Sequence, residues 1–243
     1  MLSLPHLPYL CPKNSMPVNV ETYKAIADEL KQKRITLVAV SKIKPAEDIQ
    51  ELYNLGQRDF GENYVQELVD KHTQLPQDIR FHFIGHLQSN KAKQIAPFVH
   101  LIHGVDSIKL LKEINKQATK ANRVIDCLLQ VHIAQEETKF GFDEAELLNK
   151  NKREWETNLL ELKNVRVIGL MGMASFTEDK EKVREEFEFL KLLFDKFSAL
   201  LPERNALSTL SMGMSADYTI AIEEGSTMVR IGSLLFGARY YAG

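Results

Sequence analysis

Cysteine is scarce in this 243-residue chain: there are two, Cys11 and Cys127. They lie far apart, and Cys127 falls inside the apolar run Ile125-Asp126-Cys127-Leu128-Leu129, so it reads as a small buried hydrophobe and not as half of a disulfide. Long hydrophobic runs are missing as well. No stretch approaches the ~20 apolar residues of a membrane helix, so a soluble protein without a membrane partner is expected. Charge of one sign is also lacking: 31 Lys and Arg face 33 Asp and Glu, a net charge of −2. That balance gives no electrostatic ground for nucleic acid or an acidic membrane as the main partner. The opening Met1–Ser15 holds Pro5, Pro8 and Pro12 but no basic start, long apolar centre or small-residue cleavage site. It is not the pattern of a secretory signal, and a cytoplasmic protein is expected. Residues 1–15 read as a poorly packed extension, Met16 as the functional start, and 16–243 as one domain.

What the chain does contain is ordinary core material, 44% hydrophobic and 26% charged residues, enough for a large interior. After an amphipathic helix from Val18 onward, one grammar repeats. Short apolar runs occur at Thr36–Ser41, Arg58–Gly61, Phe81–Gly85, His100–Val105, Ile125–Ile133, Val165–Met173, Thr209–Met212 and Met228–Gly232. Between them lie segments of helical period, including Ala46–Leu55, Tyr64–His72, Ser107–Lys120, Glu144–Leu160 and Asp179–Leu200. In the last, Val183, Phe187, Leu190, Phe194 and Phe197 recur at spacings of four and three, a core-facing stripe too short for a coiled coil. Strand-helix alternation requires parallel crossovers, and eight units in about 200 residues match a closed (β/α)8 barrel of TIM type, α/β in class. Gly61, Gly85, Gly104, Gly172, Gly213 and Gly232 fall near strand ends, where such a barrel builds its active mouth.

The barrel gives distant motifs one address. Lys42 follows the first strand, and strands 7 and 8, which often deliver a phosphate site, end in Ser211-Met212-Gly213-Met214-Ser215 and Arg230-Ile231-Gly232-Ser233. Ser211 and Ser215 offer hydroxyl donors, while Gly213 and Gly232 let the backbone approach phosphate oxygens closely. Strand 1 neighbours strand 8 on closure, so Lys42 reaches the same place. An amine able to form a Schiff base beside a phosphate cradle suggests pyridoxal 5′-phosphate as the cofactor. Taken by itself, Arg230 reads as a phosphate or surface partner. His82, His103 and His132 sit on or beside strands without metal-site spacing, so no metal is expected. Lys91, Lys93 and Asn90 read as a solvated helix face, Asp217 as a cap for the helix after the phosphate turn, and Tyr240 and Tyr241 as packing residues.

Several blocks resemble the pyridoxal phosphate homeostasis protein family across about residues 20 to 241. They are Ala39-Val40-Ser41-Lys42-Ile43-Lys44-Pro45, Gly61-Glu62-Asn63-Tyr64-Val65-Gln66-Glu67, His82-Phe83-Ile84-Gly85-His86-Leu87-Gln88-Ser89-Asn90-Lys91, Gly169-Leu170-Met171, Ser211 to Asp217 and Val229-Arg230-Ile231-Gly232. The resemblance implies a single fold-type III barrel of the alanine racemase N-terminal type, carrying the cofactor as an internal aldimine on Lys42. It further implies that Ser211, Ser215 and the backbone at Gly232-Ser233 hold the phosphate, that Arg230 faces the pyridine nitrogen, and that Asn63 lies near the ring. A monomer or weak dimer that hands cofactor to PLP-requiring apo-enzymes is the expectation.

Three functions of different classes stay open. One is a binding and delivery protein for the cofactor. The chain ends soon after its eighth unit, with nothing to supply the second domain and opposing tyrosine of an alanine racemase, which favours this reading. The others are a PLP-dependent amino-acid racemase-like enzyme and a Schiff-base aldolase acting on a sugar phosphate.

Overall fold

Alternate residues of a strand face opposite sides, and in the computed structural model this divides the apolar runs between two cores. Leu37 and Ala39, Cys127 and Leu129, and Val229 and Ile231 pack outward in the layer shared with the helices. Val38, Leu101, Leu128, Met171 and Met228 form a separate inner cluster on the barrel axis. The structure describes residues 18–134, 140–148, 152–201 and 207–237. Met1–Ser15, Cys11, Tyr240 and Tyr241 lie outside them.

Eight parallel strands pair in chain order and close: β1 (Thr36–Val40), β2 (Asp59–Glu62), β3 (Arg80–Phe83), β4 (Leu101–Val105), β5 (Ile125–Gln130), β6 (Val165–Met171), β7 (Thr209–Met214) and β8 (Met228–Ile231). The seam is β8 on β1, with Leu37 opposite Val229 and Ala39 opposite Ile231. The larger connecting helices are α2 (Ala46–Asn54), α3 (Val65–Gln74), α5 (Ile108–Lys120), α7 (Lys152–Glu161) and α8 (Lys180–Leu200). Shorter ones are α4 (Ala92–Ile95), α6 (Glu144–Leu148), α9 (Tyr218–Glu223) and α10 (Ser233–Phe236). The extra helix α1 (Val20–Gln32) is capped by Asn19, whose side chain accepts from Thr22 N–H, and buries Tyr23, Ile26 and Leu30 at helical spacing. It docks beside α10 through Asn19 N–H to the Leu235 carbonyl, 2.8 Å.

The stripe of α8 is core, since Val183, Phe187, Leu190 and Phe197 are buried, as is Leu193. Cys127 is buried too, and burial raises its thiol pKa far above the usual range. One boundary differs from expectation. The strand expected at Ile125–Ile133 stops at Gln130: the Val131 N–H still donates to the Met171 carbonyl at 2.8 Å, but the chain then turns to pair with Phe142 through Gln130, Val131 and His132. Of the helix expected at Glu144–Leu160, α6 and α7 cover both ends, and 149–151 lie outside the described residues. Among the described residues, no helix is long and apolar enough to cross a membrane.

Candidate functional site

The turn after β1 is built as a clamp. Ile43 sits at φ +61°, a left-handed backbone that a β-branched residue rarely adopts, so its neighbours must enforce it. The Ile43 N–H donates to the Glu67 carboxylate at 2.6 Å. The Lys71 ammonium donates to the Ser41 carbonyl, to Glu62 Oε1 and to Glu67 Oε1, each at 2.7 Å. The Ser41 hydroxyl completes the cage on Glu62 Oε1 at 2.6 Å. Glu62 is wholly buried and its other oxygen, Oε2, has no protein partner. Burial outweighs the attraction of Lys71 and pushes the Glu62 acid up to about 7. Lys42, half-buried, lies in the middle of this braced turn. The next lysine, Lys44, ties the turn to the Phe236 carbonyl of α10.

Across the seam, β7 and β8 end beside that turn. Gly213 adopts φ +95°, and a Cβ there would stand 2.6 Å from the Ala221 methyl, so both conformation and space require glycine. A Cβ at Gly232 would come within 3.2 Å of the Val40 carbonyl, which places this turn directly against the end of β1. Ser215 Oγ accepts from the Gly232 N–H at 3.2 Å, joining the two turns, and Ser233 is exposed at the start of α10. Asp217 does not cap α9 with its side chain, as expected from sequence. Its carboxylate accepts from the Met214 N–H at 2.5 Å and so braces the preceding turn.

Ser211 requires a correction. It is not at the mouth with Ser215: β7 runs on to Met214, and Ser211 pairs with Met228, two β8 positions below the Arg230 that pairs with Met214. It is fully buried, and its hydroxyl is engaged by Arg230 Nη1 at 2.6 Å and by His103 Nδ1 at 3.2 Å. Arg230 is buried in the barrel and also donates to the carbonyls of Ser211 at 2.8 Å and Gly172 at 3.0 Å. Burial lowers its pKa to about 10 while Asp217 opposes the shift, so the guanidinium stays charged at neutral pH. This position rules out the reading of Arg230 as a surface group. Asn63, just past β2, has a buried side-chain oxygen with no protein partner. It lines a cavity of about 370 Å³ with Glu67, Phe83, His86 and Lys91.

Sequence reasoning passed over the barrel's polar interior. His82 and His103 meet at 3.0 Å, Nδ1 to Nε2, and His82 Nε2 meets Asp59 Oδ1 at 3.0 Å. The available signal was alternation: in Arg80-Phe81-His82-Phe83 the phenylalanines pack outward, which turns His82 inward. His132 instead leaves the sheet beside Phe142. At the floor, Asp59, His82 and His100 bring their donor atoms within 4.8 Å of one another, a grouping able to hold a metal ion. Arg80, however, takes both Asp59 oxygens, at 2.7 and 2.5 Å, and these bonds with the guanidinium and His82 hold the Asp59 carboxyl far below the usual range against burial, which alone would raise it.

Comparison with known proteins gives a consistent picture. Residues 16–240 match the family model described as alanine racemase, N-terminal domain. The pyridoxal phosphate homeostasis protein of Aquifex aeolicus is 46% identical over 207 residues, spanning 84% of this chain and 87% of that protein. Its Escherichia coli (strain K12) namesake is 40% identical over 212 residues, 86% and 87% of the two chains. PipY of Synechococcus elongatus, solved with PLP bound, superposes with a TM-score of 0.77 at 34% identity, over 89% of this chain and 99% of that one.

Proposed function

The chain belongs to the pyridoxal phosphate homeostasis protein family, built on the alanine racemase N-terminal barrel, and we propose that it holds pyridoxal 5′-phosphate at its barrel mouth, sequestering a reactive aldehyde and supplying it to enzymes that need it. The observation that carries this reading is the β1–β8 seam. It sets the braced Lys42 turn against the Gly232 turn, although the two lie at opposite ends of the sequence.

The residues fit the cofactor. Asn63 keeps a buried polar oxygen without a protein partner, and Gly232 leaves space that a Cβ would fill. When bound, the cofactor supplies an aldehyde that condenses with a primary amine and a phosphate that calls for N–H and O–H donors. Lys42 Nζ is the amine, and the clamp of Glu62, Glu67 and Lys71 fixes the backbone that carries it. Ser215 and the backbone at Gly232-Ser233 form the anion cradle, and Gly213 provides the turn that presents Ser215. Arg230 takes the place beside the pyridine nitrogen. A guanidinium that stays charged disfavours a second positive charge next to it, so it withholds the protonated ring that carbanion chemistry exploits. That electrostatic choice suits storage better than turnover.

The test is the visible absorption spectrum of freshly purified protein before and after borohydride, followed by peptide mapping. A band lost on reduction, with the pyridoxyl group on Lys42, supports the reading. Failure of added cofactor to generate such a band, or multiple-turnover racemisation of amino acids by chiral chromatography, would overturn it.

A further inference from the structure

The barrel interior holds a continuous line of polar side chains from floor to mouth: Arg80, Asp59, His82, His103, Ser211 and Arg230. Its ends fix its direction. Arginine donates only, so at 2.6 Å from Arg230 Nη1 the Ser211 oxygen must accept. The Ser211 O–H is then left to donate to His103 Nδ1, 3.2 Å away. An imidazole that accepts at Nδ1 and is neutral carries its proton on Nε2, and burial pulls His103 well below the usual histidine pKa, which keeps it neutral. His103 Nε2–H therefore donates to His82 Nδ1, and His82 Nε2–H to Asp59, each at 3.0 Å. Asp59 accepts only, and Arg80 closes the line from the floor. From Arg230 to Asp59 every donor points the same way, toward the floor, and Arg80 donates to Asp59 from the other side.

The opposite polarity is worse on count. With the shared proton on His82 Nδ1, a neutral His82 would turn a bare Nε2 toward the Asp59 oxygen, and the serine O–H would lose its acceptor. Ser211 and His103 are 0% exposed, His82 1% and Arg230 4%, so water does not replace a lost partner, and a buried orphan is costly.

We infer that Asp59, His82, His103 and Ser211 form a one-way hydrogen-bond chain that orients Arg230, making the barrel floor a working part of the mouth site. They are positioning residues. The chain fixes the serine rotor, the rotor fixes Nη1, and with Nη2 bonded to the Gly172 carbonyl the guanidinium plane is set. The consequence for the cofactor rests on the reading given above; the chain itself does not.

Two measurements separate them. In uniformly 15N-labelled protein without cofactor, a through-hydrogen-bond N–N correlation should link His103 Nε2, bearing the proton, to His82 Nδ1. A proton residing on His82 Nδ1, or the absence of any coupling between the rings, overturns the chain whatever the protein binds. The second measurement is cofactor titration of Ser211→Ala, with Ser211→Thr as the variant that keeps the hydroxyl. Ser211→Ala should lower affinity about tenfold, the scale of one lost bond to a charged group. It should also shift the bound cofactor's absorption maximum while Lys42 still forms the reducible adduct, and Ser211→Thr should restore both. Unchanged affinity and spectrum in Ser211→Ala would refute the orienting role. A wild type that shows the ring coupling but binds no cofactor would defeat the cofactor reading and leave the chain standing.

Discussion

Lys42 is one amine among the many on this chain, and its distinction lies in the backbone that holds it. Glu67 and Lys71 pin the residues on either side. Lys42→Ala should abolish the borohydride-reducible adduct while leaving the circular dichroism spectrum unchanged, and a pyridoxyl group mapped to another lysine would refute the assignment. The two serines once grouped in one cradle now separate. Ser215→Ala should weaken binding of the phosphorylated cofactor about tenfold and leave pyridoxal nearly unaffected. Ser211→Ala, acting through Arg230, should weaken both ligands alike, and parallel titrations decide the matter. That the turns carrying Lys42, Ser215 and Gly232 share one end of the barrel was legible because turn chemistry is local in sequence. Glu62, Lys71 and the two interior histidines were not, because their meaning depends on strand register and on partners as far apart as His103 and Ser211.

Among the elements, the β1–α2 turn departs most from local preference. Its positive φ at Ile43 costs of order 1–3 kcal/mol and is enforced by contacts from β2 and α3. Ile43→Gly should relieve that strain, leaving the urea midpoint equal or higher, yet slow adduct formation at Lys42 because the turn is less constrained. Stopped-flow absorbance after mixing with cofactor measures the rate, and a faster reaction would show that the clamp does not prepare the amine. The long helices and all eight strands could be located from period alone. The short pieces could not: α4 and the 3-10 turn at Ser89–Lys91 are too brief for a periodic signal. The true end of β7, which decides the depth of Ser211, is obscured by Gly213, whose left-handed backbone bulges the strand without ending it.

For the molecule as a whole, closure was legible from the count of units, whereas the polar line along the axis was not. The buried clamp also gives the fold a pH dependence whose sign is fixed. The Glu62 acid titrates near 4.5 in an exposed chain and is raised to about 7 in the fold. Its contribution is therefore complete below about pH 4.5 and is lost as pH rises through about 7, by up to about 3 kcal/mol. Glu62→Gln should flatten this slope in urea unfolding followed across that range, and identical slopes for the two proteins would refute the burial argument. The seam between β1 and β8 carries one more consequence. A chain still emerging from the ribosome already displays Lys42, but the wall opposite it is encoded near the other end of the message. Capture at this mouth would thus wait until translation has delivered the last strand, since a truncated product keeps the amine and its clamp but lacks the facing wall.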